Sequence, residues 1–91
     1  MNEPCEAILV EMALDEIKVE YRRAVNLHAP MHSAHEGYAV ILEEVDELKA
    51  EVWKKKQSRE TVRREAIHVA AMALRLIVDV CERAAEGGGD E

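Results

Sequence analysis

Two short patterns hold the residues best suited to chemistry. Glu44-x-x-Glu47 and Glu65-x-x-His68 each set two ligand-type side chains three residues apart. On a helix that spacing stands both side chains on one flank. Like charges so placed repel, and burying them beside apolar residues costs more still unless a cation is present. Carboxylate oxygens suit Mg²⁺ or Mn²⁺, and such ions keep open positions for water and phosphate. Helical bundles build metal sites in this way, with Glu and Glu-x-x-His on facing helices. The alternative is a solvated acidic face formed by Glu43, Glu44, Asp46, Glu47 and Glu51, with Glu51 paired along the helix to Lys54 or Lys55.

These residues must be brought together by helices. The spacing predicts a first helix from about Pro4 to about Val25, with Ala7, Val10, Leu14, Ile17, Tyr21, Ala24, Val25 and His28 on one face. Pro30 closes it. Ser33-Ala34-His35-Glu36 is a capping-box pattern that opens a second helix. Its expected apolar face is Tyr38, Ile41, Leu42, Val45, Leu48, Val52 and Trp53, and it ends near Lys55 or Lys56. Ser58 is the expected N-cap of a third helix, Arg59 to about Ala85. That helix is apolar from Ala66 to Cys81 except for His68, Arg75 and Asp79. At about 100° per residue, Glu65, His68, Met72, Arg75 and Asp79 share one stripe. The short break between the second and third helices makes them antiparallel neighbours, with Glu47 and Glu65 at comparable heights.

The chain of 91 residues is 48% hydrophobic and 34% charged, which allows a single domain and argues against a chain disordered throughout. The core has to be aliphatic, since Trp53, Tyr21 and Tyr38 are the only aromatics. The expected fold is all-α: an antiparallel helical hairpin plus an N-terminal helix in one domain over residues 1–86, followed by a flexible glycine-rich tail over 87–91. A third helix apolar over most of its circumference implies assembly into a helical bundle as a homo-oligomer, a dimer or tetramer. A net charge of −7 argues against a nucleic-acid polymer or an anionic membrane as partner. The ionisable residues in the third helix argue against a membrane span. Cys5 and Cys81 are far apart, with no CxxC, and the N-terminus is not that of a signal peptide. A reduced, cytoplasmic setting follows as the expectation.

Glu44-x-x-Glu47, 17 intervening residues and Glu65-x-x-His68 resemble the MazG-type all-alpha nucleoside triphosphate pyrophosphohydrolases. Their pattern is ExxE, a variable spacer and ExxD on adjacent helices. The stretch His35 to Leu48 also resembles small phage and bacterial members, and the likeness extends from about Ser33 to Val80. It implies Mg²⁺ (or Mn²⁺) as cofactor and a nucleoside triphosphate as substrate, attacked by water at the α-phosphorus to give a monophosphate and pyrophosphate. It further implies Glu44, Glu47 and Glu65 as metal ligands, with Glu43 as base or as a residue supporting the ligands from behind. His68 departs from the family's Asp, and imidazole suits Mn²⁺, Zn²⁺ or Ni²⁺ better than Mg²⁺. The alternative function is a non-catalytic helical oligomer that binds a nucleotide or a protein partner.

A triphosphate also needs cations. Lys54 and its basic neighbours around the second break are candidates for phosphate contact, and so is Arg75. Within a buried helix Arg75 needs either an anionic ligand or an acidic partner, and Asp79 is placed to be the latter. His28, His32 and His35 form a second cluster, read as a loop near the nucleotide in preference to a zinc site. Trp53 and Tyr38 could stack on a base, but their place on the apolar face assigns them to the core.

Overall fold

The computed structural model describes residues 5–83. Three helices form: α1 Glu6–Leu27, α2 Ala34–Val52 and α3 Arg59–Leu76, the last continued by a π-helical turn over Ile77–Glu82. The expected single helix to Ala85 therefore widens after Leu76. The flexible tail over 87–91 and the start at Pro4 lie outside the described residues.

Both expected caps form. Ser33 Oγ accepts the Glu36 N–H at 3.0 Å, while Glu36 Oε1 accepts the His32 N–H at 2.7 Å. Ser58 Oγ accepts the Thr61 N–H at 3.3 Å, and the Thr61 hydroxyl donates to Glu51 Oε1 at 2.8 Å, tying the start of α3 to the end of α2. The α2–α3 loop is thus closed by polar contacts at its base.

α2 turns back through residues 53–58 to pack along α3. The pairs Glu16–Arg63, Glu20–His68 and Ala29–Arg75 rise together in sequence, so α1 runs parallel to α3 and antiparallel to α2. Ala24, Ala71 and Met72 are buried where the helices meet, with Ile17, Tyr21, Val40 and Ile41 packed round them. Small residues let the backbones approach. Gly37 of α2 is buried, and a Cβ there would stand 2.5 Å from Leu76 Cδ1 and 3.1 Å from Met31 Sδ.

Burial runs opposite to the expectation for two aromatics. Tyr38 is 64% exposed and Trp53 75% exposed, so neither belongs to the core. The reason is phase. Taking about 100° per residue, Gly37, Glu44 and Leu48 centre the face of α2 toward α3, Tyr38 and Val45 lie roughly a quarter-turn away, and Leu42 lies further round still. Trp53 follows the last turn of α2 as its C-cap. On α3 the ionisable stripe is the inward one: Glu65, Met72 and Arg75 are buried.

Candidate metal centre

The two short patterns converge. One ligand atom from each of Glu44, Glu47, Glu65 and His68 lies within 4.8 Å of every other. Opposite ligands around an octahedral Mg²⁺ at about 2.1 Å stand about 4.2 Å apart. The four donors therefore need only a small contraction to hold a divalent ion. Glu44 and Glu47 come from the middle of α2, and Glu65 and His68 from the facing turn of α3. The hairpin register sets both pairs at one height.

Hydrogen bonding marks the middle of this group as unsatisfied. Glu44 Oε1 and Glu65 Oε1 are fully enclosed and have no hydrogen-bond partner. Both point to His68 Nδ1, at 3.7 and 3.5 Å. Burial, then the neighbouring Glu47, push the Glu44 carboxyl above its ordinary range; His68 opposes this, and Glu65 and Glu20 add to it. Buried oxygens without donors are rare in folded proteins because each forfeits its hydration. Glu65 is only 8% exposed, so water does not readily supply the missing donor. Three carboxylates and an imidazole with converging lone pairs fit a divalent cation.

A cleft of about 500 Å³ opens beside these donors. Glu43, Glu44, Glu47 and His68 line its acidic side; Met31, Met72 and Arg75 line it further along, and Glu20, Arg23 and Glu36 also border it. His28 reaches the cleft as well, consistent with a loop beside a ligand. Among the described residues, His28, His32 and His35 do not gather into a metal-type group. Lys54 is outside the lining and pairs with Glu51 at 3.0 Å. Cys5 and Cys81 are exposed free thiols. No helix among the described residues is long and apolar enough to cross a membrane.

Arg75 and Asp79 do not pair with each other. Arg75 Nη2 donates to the Ala29 carbonyl at 2.8 Å, and Asp79 Oδ2 accepts the Met31 N–H at 3.0 Å. Both side chains turn to the α1–α2 loop and staple it to α3. Arg75 is 4% exposed, and its Nε–H has no partner.

Glu20, on α1, completes the surroundings and was not anticipated. Its Oε2 lies 3.6 Å from His68 Nε2, and Arg23 grips the carboxylate with bonds of 2.9 and 2.7 Å. That grip is the main reason the Glu20 carboxyl titrates below its ordinary range. The available signal was its place at the edge of the Ile17–Tyr21–Ala24 face, with Arg23 three residues on.

No protein-family model matches the chain, and no curated protein or solved structure matches it significantly. The family likeness of the acidic patterns rests on the residues themselves.

Proposed function

We propose that the cleft is the site of a metal-dependent nucleoside triphosphate pyrophosphohydrolase of the MazG type, converting a triphosphate to a monophosphate and pyrophosphate. The observation that carries this reading is the pair of enclosed, partnerless oxygens of Glu44 and Glu65 meeting Glu47 and His68. Glu44, Glu47, Glu65 and His68 would hold Mg²⁺ or Mn²⁺. Such an ion would offset phosphate charge and lower the pKa of a water. Glu43, exposed on the rim, is the candidate to accept a proton from the attacking water.

The remainder of the cleft supports an elongated anion. His68 and Arg75 are seven residues apart on α3, about 10 Å along the axis, with Met72 between them. A cation-holding end, an apolar stretch and a buried guanidinium match a phosphate chain joined to a larger organic group better than they match a small inorganic ion. Arg75 is the stronger of the two phosphate candidates, since Lys54 is engaged by Glu51 outside the cleft. The setting we assign is the cytoplasm, and the working form a homo-oligomer.

The test is pyrophosphate release from a panel of nucleoside triphosphates with Mg²⁺ or Mn²⁺. The wild type is expected to release it and Glu47→Gln to lose the activity. His68→Asp restores the family's four carboxylates and is expected to strengthen Mg²⁺ binding and to keep or raise release. Nucleotide binding without release for every substrate and metal would favour a non-catalytic nucleotide-binding oligomer.

A further inference from the structure

We infer that Glu20, on α1, is the positioning residue for His68: it takes the Nε2–H of the imidazole and leaves the Nδ1 lone pair to face the cation held by Glu44 and Glu65. This rests on the metal reading of the site. A neutral imidazole has one N–H and one lone pair, and whichever nitrogen finds the better acceptor keeps the proton. Here the two nitrogens face different helices. Nδ1 looks at Glu44 Oε1 and Glu65 Oε1, and Nε2 looks at Glu20 Oε2. All three separations, 3.5 to 3.7 Å, are slightly longer than a hydrogen bond. The ring is therefore suspended among three carboxylates and can settle toward either side.

A cation between Glu44 and Glu65 requires Nδ1 to be bare. The proton must then sit on Nε2, where Glu20 is the facing acceptor. Glu20 is prepared for that task. The Arg23 guanidinium holds both of its oxygens, which fixes the plane of the carboxylate. Ligating histidines characteristically donate their other N–H to a carboxylate, which fixes the ring and raises the basicity of the ligating nitrogen. Glu20 stands in that relation to His68, and it brings α1 into a site otherwise built from the α2–α3 hairpin.

The experiment uses the full chain and two variants, Glu20→Ala and Glu20→Gln. Alanine removes the acceptor and suits a helix; glutamine keeps an acceptor oxygen without the charge. The tautomer of His68 is read from its ¹⁵N shifts in the metal-free protein, above the imidazole titration. Mn²⁺ affinity is read from the electron paramagnetic resonance of the free ion. The Nε2–H fraction is expected to fall in Glu20→Ala and to recover in Glu20→Gln. Mn²⁺ binding is expected to weaken about 10- to 100-fold in Glu20→Ala and much less in Glu20→Gln. An unchanged tautomer ratio overturns the inference, as does an affinity that is unaltered in Glu20→Ala or falls equally in both variants. A wild type that binds no Mn²⁺ refutes the metal reading instead, and the tautomer ratio alone then decides whether Glu20 orients the ring.

Discussion

Glu44 sits half-buried against Glu47, Glu65 and His68, and its carboxyl titrates above the ordinary range chiefly because burial disfavours the charge. A carboxyl whose pKa rises on folding favours the folded state while protonated and loses that contribution as the pH climbs through its folded value. Glu44→Gln is therefore expected to be more stable than the wild type at neutral pH without metal. The gap should close below about pH 4, where the unfolded carboxyl is protonated too. Urea titrations at several pH values check this. The comparison isolates Glu44, because the carboxyls held below their ordinary range, Glu16 by Arg63, Glu20 by Arg23 and Glu51 by Thr61 and Lys54, are common to both proteins. With Mn²⁺ at a hundred times its Kd the wild type should gain about 2.7 kcal/mol, and the variant clearly less. At this scale the sequence was informative where partners are near in the chain. The Glu44–Glu47 and Glu65–His68 spacings define flanks directly, and a short loop fixes their register. Glu20 was hidden because nothing local sets the rotation of α1 against α3. Asp79 was misjudged as the partner of Arg75 because each found a backbone group of the α1–α2 loop, more than forty residues away.

Gly37 shows how closely α2 approaches α3. A Cβ at this position would meet Leu76 Cδ1 and Met31 Sδ inside normal contact distance. Exposed helical glycines gain about 1 kcal/mol on replacement by alanine. Here overpacking of about 1–3 kcal/mol opposes that gain. Gly37→Ala is expected to lower stability by about 1 kcal/mol, read as a reduced urea midpoint with an unchanged slope. The helix starts were legible from Ser33 and Ser58, whose side chains act on their own turns, and Pro30 marked the break after α1, whereas α2 ends at Val52, before the expected Lys55 or Lys56. The π-helical turn after Leu76 had no such signature. The faces were legible only in part, since α2 is apolar over a wider arc than α3 covers, and the sequence does not say which part α3 takes.

The described residues have a radius of gyration of 15.5 Å, against about 12 Å for a compact domain of this length. Large apolar side chains remain exposed on α1 and α2, among them Ile8, Leu9 and Met12 on α1 and Leu42 and Val45 on α2, and Ile77 is exposed in the π-helical turn after α3. The buried positions meanwhile include Glu65 and Arg75. We propose that a chain with ionisable side chains inside and aliphatic residues outside buries the latter against another copy of itself. Sedimentation at micromolar concentration is expected to give a dimer or tetramer of the 10.3 kDa chain. Leu42→Glu should shift the species to smaller mass, while a compact wild-type monomer would contradict the expectation. The sequence expectation of assembly rested on an uncovered apolar α3; the large apolar residues of α3 are instead half-buried or buried within the chain, and the exposed ones lie mainly on α1 and α2.

The loop joining α2 to α3 is only residues 53–58, and it has a consequence for the order of events in folding. All four converging donors lie between residues 44 and 68, so the hairpin alone can gather them. The staples from Arg75 and Asp79, and the approach of Glu20, each span more than forty residues and must close later. The acidic cluster thus forms early, when its charges have least to offset them. A divalent ion should act at that moment. In stopped-flow refolding, saturating Mn²⁺ is expected to accelerate the folding limb and to slow unfolding comparatively little. An effect confined to the unfolding limb would mean that the donors gather only after α1 has docked.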